Sequence, residues 1–396
     1  MKIAAIIENK ISAGGGFAMS VDLILTLKKA SEICGHEIII FNFHKENSKI
    51  LENLNLKYIN IKENLFDKFF AFLNYSLLGS FFQSKLKLHT FFEKNLLKQK
   101  IDFVFFVTPS PKPFYLQKLN YALTVYDLCH RDFPEFSEVK AYNIYHLREL
   151  ILNRCIGPAT IVITESEKLK KMISSQFSKD EKRIISIPNG PSPLINSEDY
   201  IANVNTKLHL PENYFFYPAQ FWEHKNHIRI LEAIDILKKK NIIVEFVFCG
   251  KDKGNLKNIK KKIDKLNINN QVKIFDFLTN EEIKFAYKGA IALVMPTYFG
   301  PTNIPPLDAW ANDVPIIYSK HLSEQTSDAA LYVDPNSSEE LADKIEKMLN
   351  SDARKEFINK GKIRLSIIKK DRENAIHELS KKLNEFEKKK DNWKVN

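Results

Sequence analysis

Twelve short apolar runs, none alternating with polar residues, constrain this chain more than any other feature. In the first half they are Lys2–Ile7, Glu37–Phe43, Phe103–Val107, Leu123–Tyr126, Thr160–Ile163 and Ile184–Ile187. In the second half they are Tyr214–Tyr217, Val244–Cys249, Val272–Phe275, Ile291–Met295, Pro315–Tyr318 and Leu331–Val333. A strand that faces water on one side alternates; one covered on both faces reads as a continuous run of Ile, Val and Phe, as in a parallel sheet. The stretches between the runs have helical spacing. Ile228, Leu231, Ile234 and Leu237 recur every three residues and make one apolar face. Strand–helix alternation of this kind specifies doubly wound α/β layers.

The two halves meet at Asn189–Asn213, a Pro-, Ser- and Asn-rich stretch with turn chemistry and little periodicity. The expected division is a Rossmann-like domain over 1–190, a linker over 191–212, a second Rossmann-like domain over 213–370, and an amphipathic helix with a basic tail over 371–396. In the tail, Ile376, Leu379, Leu383 and Phe386 share a helical face ahead of a lysine-rich end. Two such domains are expected to face a central cleft, with ligands at the carboxyl ends of the strands.

Length agrees: 396 residues are enough for two domains and their cores. The 29 Phe and 14 Tyr exclude a disordered chain. Cys34, Cys129, Cys155 and Cys249 are scattered, with no C-x-x-C pair, which argues against a disulfide framework or a cysteine-rich zinc site. A net charge of +11 points to an anionic partner: phosphates, nucleic acid or an anionic membrane surface. No RRM or zinc-finger pattern is present, so nucleic acid is not expected. The first ten residues are too short in apolar content for a signal-peptide core, and no run approaches the ~18–20 residues that span a bilayer. The expected location is the cytoplasm, soluble or peripheral on the inner face of a membrane.

Four loops after strands carry candidate chemistry. Gly14-Gly15-Gly16 follows the first run; it allows close backbone approach at a helix start, or is an ordinary flexible loop. Tyr126 to Asp132 follows another run; Asp127 or His130 serves as acid, base or hydroxyl anchor, or the segment is a surface loop with capping carboxylates. Tyr217 to His227 opens a helix and sets Lys225 where an ammonium reaches a phosphate, the alternative being a solvated basic turn. Pro296 to Trp310 is stiffened by prolines; Thr302–Ile304 present backbone N–H groups suited to a diphosphate, and Asp308 accepts hydrogen bonds from ribose or stabilises a helix start.

The ordered set resembles the retaining glycosyltransferases of family 4, which have the GT-B fold. Ala219 to Asn226 is similar to that family's G-R-x-x-x-x-K-N, and Pro296 to Asp308 to its P-S-x-x-E-G-F-G-L-P-x-L-E. Ala311–Ile317, Ala330–Pro335, Thr164–Ser166 and Ile187–Gly190 also fit. Tyr126-Asp127-Leu128 resembles H-D-L, and the run through Pro134–Phe136 looks like the version in enzymes of bacterial surface polysaccharides. The departures are Gly300 and Asp308 in place of paired glutamates, Gln220 for an arginine and Tyr126 for a histidine.

The resemblance implies sugar transfer from a UDP- or GDP-linked donor to a saccharide or lipid-linked acceptor, with retention, in surface polysaccharide or lipopolysaccharide biosynthesis. It implies no metal and no cofactor. Lys225 and the N–H groups near Asn303 and Ile304 would stabilise the leaving diphosphate, Asp308 would grip the ribose, and Phe277 and Leu278 would flank the base. Gln220, Asn226, Gly250, Lys251 and Thr302 would also line the donor site. The first half, with Gly14–Gly16, Asp127 and His130, would hold the acceptor, with Gly15 and Gly16 reaching the donor and Asp127 and His130 in catalytic roles. The alternative is a non-catalytic nucleotide- or sugar-binding protein on a decayed GT-B scaffold.

Two basic stretches remain. Lys62–Lys100 holds eight phenylalanines and seven lysines against three acids. It suits an anionic membrane surface, although most of its phenylalanines are expected in the first core. Ile236–Lys273, with eleven lysines and three acids, reads as a solvated helical face.

Overall fold

A computed structural model describes residues 1–11, 14–75, 89–195 and 208–393. Contacts divide the chain into two units. The first comprises Met1–Tyr126, His146–Pro188 and Asp371–Asn396; the second comprises Asp127–Tyr145 and Asn189–Lys370.

The first unit is built on a seven-stranded sheet, β1 Lys2–Ile7, β2 Glu37–Asn42, β3 Tyr58–Asn60, β4 Phe103–Phe106, β5 Asn120–Thr124, β6 Ile161–Thr164 and β7 Ile184–Ser186. Its order is β3-β2-β1-β4-β5-β6-β7, and its strand pairs are all parallel. The helices of eight residues or more among its described residues are α1 Gly15–Cys34, α2 Leu65–Tyr75, α3 Phe91–Lys98, α4 Ile144–Cys155 and α5 Glu167–Phe177. The apolar runs are buried on both faces as their composition requires; Ile3 through Ile7 and Phe103 through Val107 have no exposed surface. Gly14 starts α1 at a φ of 63°, and the Gly16 carbonyl accepts from Ser20 Oγ (2.8 Å) and Asn9 Nδ2 (3.0 Å).

The second unit repeats the plan with six strands, β8 Tyr214–Pro218, β9 Glu245–Cys249, β10 Val272–Phe275, β11 Ala290–Met295, β12 Ile316–Ser319 and β13 Leu331–Val333. The order is β10-β9-β8-β11-β12-β13, again parallel. Its helices of eight residues or more that lie wholly within it, among the described residues, are α6 His227–Lys239, α7 Leu256–Leu266, α8 Asn280–Lys288, α9 Ile304–Ala311 and α10 Ser338–Met348. The face expected on α6 is in the core: Leu231, Ile234 and Leu237 are fully buried. Because β8 lies between β9 and β11, chain order reverses there. Doubly wound sheets bind ligands at such a point.

The last helix, α11 Ser351–Trp393, is a single element of 43 residues. Its residues up to Lys370 count with the second unit and those from Asp371 on with the first. Ile376, Leu379, Leu383 and Phe386 are buried as one face, and Lys390 pairs with Asp102. The lysine-rich end therefore continues the helix to Trp393 rather than fraying after Phe386.

This division departs from the expected one in two places. Asp127–Tyr145 belongs with the second unit, not with 1–190, and Asp371–Asn396 belongs with the first. Side-chain chemistry explains the former. Glu138 bonds the ring of His224 and accepts from its main-chain N–H at 3.1 Å. Ser137 Oγ donates to Glu223 at 2.8 Å, while Phe133 and Phe136 pack on Phe299 with centroids 5.6 and 5.2 Å away. Of the expected linker 191–212, residues 196–207 lie outside the described residues, as do Ser12 and Ala13 after β1.

Candidate functional site

The loop after β8 and the loop after β11 are tied together by main chain and by one asparagine. The N–H of Tyr298 and the hydroxyl of Thr297 both donate to the His224 carbonyl, at 2.9 and 3.2 Å. Asn226 takes the left-handed conformation at φ 60°, and its buried amide donates to the carbonyls of Pro296 (2.9 Å) and Pro335 (2.8 Å). Asn226 is expected to meet the donor; both its N–H bonds are instead spent on the turn that opens α6, which an Asn tolerates at little cost.

That turn presents Lys225. Its side chain is half-buried, and its Nζ lies 3.5 Å from Asn303 Oδ1. Loss of water pulls the Lys225 pKa down to about 8, opposed by the negative potentials of Cys129, Asp127 and Glu138. All three come from the Asp127–Tyr145 segment, so the structure brings Asp127 to Lys225 within one unit. Asp127 is half-buried, and its Oδ1 accepts from the Cys129 N–H at 2.9 Å. The Cys129 sulfur accepts from the Gly300 N–H at 3.5 Å.

His130 has no exposed surface; its ring packs edge-on against Tyr145 at 5.4 Å. A catalytic role is expected of His130; in the structure its ring is enclosed by the protein. Beside Lys225, His224 stacks on Phe299 with centroids 4.3 Å apart, and burial holds its pKa down to about 4 despite Glu138. Burial opposes ionisation of Glu138, but the bonds from His224 outweigh it and leave its pKa near about 2.

The loop after β11 is shaped at Gly300, whose φ of 97° disfavours any side chain. A Cβ there would stand 2.8 Å from both heteroatoms of the Asn303 amide. Asn303 in turn fixes α9: its N–H donates to Gln325 Oε1 at 2.9 Å and its carbonyl accepts from Gln325 Nε2 at 2.6 Å. The Asn303 N–H is thus committed to the protein rather than to a diphosphate, and Pro305 and Pro306 carry no N–H, so the helix start offers that of Ile304. Thr302 is half-buried, and its hydroxyl accepts from Asn189 Nδ2 at 3.1 Å.

Asp308 is 3% exposed, and its Oδ1 accepts from the Ser192 N–H at 2.7 Å. A ribose-gripping carboxylate is expected here; the carboxylate found is an enclosed anchor for the segment that begins at Asn189. Gly250 is close-packed for a different reason: a Cβ would lie 2.2 Å from the Ala219 carbonyl oxygen, so only glycine lets the loops after β8 and β9 run side by side. Gln220 is half-buried and accepts from Trp222 Nε1 at 2.9 Å, and Lys251 is exposed. After β10, Phe277 is 64% exposed and Leu278 is buried. Gly15 and Gly16 lie in the first unit, as the first turn of α1.

Tyr318 and Gln325, both buried, complete the polar layer under Asn303 and were not legible as site residues. Tyr318 lies one residue before the end of a strand that the apolar runs do reveal, and a hydroxyl near the carboxyl end of a buried strand is its one signal. Gln325 has none.

Residues 203–364 match the family model described as glycosyl transferases group 1. The O-antigen chain mannosyltransferase RfbU of Salmonella typhimurium is 26% identical over 252 residues, 61% of this chain and 67% of the relative. The structure is similar to that of a sucrose-phosphate synthase from Thermosynechococcus elongatus, with a TM-score of 0.70 at 15% identity over 98% of each chain. It is also similar to HepE of Anabaena in complex with UDP-glucose, with a TM-score of 0.68 at 15% identity over 97% of this chain and 100% of the other. The stretch 203–364 is thus similar to the group 1 glycosyltransferases, and the chain has the two parallel-sheet, Rossmann-like units of the GT-B fold.

Proposed function

We propose that the protein is a retaining glycosyltransferase that moves a hexosyl or deoxyhexosyl group from a UDP- or GDP-linked donor to a saccharide or lipid-linked saccharide, in the assembly of a surface polysaccharide or lipopolysaccharide. The observation that carries this reading is Lys225. It stands at the carboxyl ends of the two strands that flank the order reversal, partly stripped of water and touched at its Nζ by a neutral amide oxygen. A nucleoside diphosphate leaving from a sugar gathers negative charge on its bridging oxygen. A preset ammonium in a poorly solvated pocket stabilises that charge more than it stabilises the ground state.

Lys225 and the Ile304 N–H hold the diphosphate, Phe277 and Leu278 flank the base, and Asp127 anchors an acceptor hydroxyl. The reading calls for no metal and no cofactor. The RfbU name supports a polysaccharide product, and the HepE complex supports a UDP-sugar donor. A cytoplasmic location at the inner membrane face fits the exposed apolar side chains of α2 and α3, and no helix among the described residues is long and apolar enough to cross a membrane.

A panel of UDP- and GDP-sugars tested by thermal unfolding decides the matter. A donor at 100 times its Kd stabilises by ~2.7 kcal/mol, and at least one member of the panel is expected to raise the Tm by several degrees. A Tm unmoved by all of them at millimolar concentration overturns the proposal.

A further inference from the structure

The Asn303 amide has two ends, and only one of them suits a lysine. With Oδ1 toward Lys225 the ammonium is accepted; turned over, two N–H donors would face a cation. The choice is made two residues away. Gln325 Nε2 donates to the Asn303 carbonyl at 2.6 Å, which fixes its Oε1 as the end that accepts from the Asn303 N–H at 2.9 Å. That same Oε1 accepts the Tyr318 hydroxyl proton at 3.1 Å. A phenol has one proton, so the Tyr318 oxygen is left as an acceptor and takes a hydrogen from Asn303 Nδ2 at 2.7 Å. The Gly300 carbonyl takes the other at 3.0 Å. Oδ1 therefore faces Lys225 Nζ, at 3.5 Å.

Water does not reset this chain of donors, because Tyr318 is 0% and Gln325 6% exposed. Position 300 must also lack a side chain, since a Cβ there would meet both Asn303 heteroatoms at 2.8 Å. Gln325 is held in its turn: Arg364 Nε donates to its carbonyl at 2.8 Å.

We infer that Gln325, acting through Tyr318, is a positioning residue for the diphosphate site: it sets which end of the Asn303 amide meets Lys225, so that the ammonium is steered by a neutral oxygen and keeps its full charge for phosphate. The inference rests on the glycosyltransferase reading. Buried hydrogen bonds passed on in series polarise one another and resist reorientation, which suits a device that must hold one geometry.

The experiment is a double-mutant cycle on the affinity of UDP and GDP, measured by isothermal titration in the full chain. Gln325→Leu removes the whole device; Tyr318→Phe removes only the relay and keeps both Gln325 bonds to the Asn303 main chain. Each is expected to weaken the bound nucleotide by roughly three- to tenfold. In a Lys225→Ala background the same changes are expected to do almost nothing further, because their effect passes through the ammonium. Should Gln325→Leu not fold, Tyr318→Phe carries the same cycle. Folded variants with wild-type affinity, or losses that simply add to that of Lys225→Ala, overturn the inference while leaving the donor site intact. A wild-type chain that binds neither nucleotide overturns the glycosyltransferase reading along with it.

Discussion

Lys225 shows how much one residue's surroundings decide. In water its ammonium would stay charged far above neutrality; here desolvation lowers the pKa to about 8 against the pull of Cys129, Asp127 and Glu138. The charge that would hold a diphosphate is thus present below that pH and lost as pH rises through it. Affinity for UDP or GDP, titrated between pH 7 and pH 9.5, is expected to fall across the window. The Lys225→Arg variant, whose guanidinium stays protonated, is expected to lose that slope. A flat wild-type profile would separate Lys225 from the diphosphate. The sequence exposes Lys225, Asn303 and Asp127 because each follows a buried strand, where this fold gathers its ligands. At Asn226, His130 and Asp308 it leaves the role open for a shared reason. A polar side chain in a loop reads the same whether it bonds a ligand or the protein's own main chain, and these three turn inward.

At the scale of elements, the apolar runs give the strands to within about three residues. The exception is β3, whose three residues lie at a sheet edge with little burial and so leave no apolar run to see. Helix α2 departs from expectation more instructively. Most phenylalanines of the Lys62–Lys100 stretch are expected in the core, and Phe70 and Phe92 are there. Yet Phe66 is 52%, Phe69 56% and Phe91 47% exposed, beside Leu65 at 81%. Phe72, Phe81 and Phe82 fall where the structure describes no side chains. The exposed group spans two helices, with Phe66 and Phe91 5.8 Å apart and the Lys94 ammonium 5.5 Å from the centre of the Phe91 ring. Rings set among lysines are suited to the headgroup region of an anionic bilayer. Co-sedimentation with phosphatidylglycerol vesicles at low salt is expected, to weaken as salt rises and to fall several-fold in a Phe66→Ser, Phe69→Ser double variant. Equal binding by wild type and double variant would remove α2 from the account.

The whole molecule is two doubly wound units, and the residues proposed to act on the donor come from the second, including a segment, Asp127–Tyr145, that lies in the first half of the sequence. Sequence order alone assigns that segment to the first unit; aromatic packing and the Glu138–His224 bond assign it to the second. The net charge of +11 is of the sign that attracts anionic partners. Sugar transfer is proposed to take place at Lys225. Its most direct test is turnover of the best-binding donor with a saccharide or lipid-linked acceptor fraction, following nucleoside diphosphate release and the anomeric configuration of the product by NMR. Transfer with retention is expected, with at least a tenfold loss in folded Lys225→Ala, a barrier change of about 1.4 kcal/mol. Transfer at the wild-type rate by the Lys225→Ala variant, or a product of inverted configuration, would contradict it.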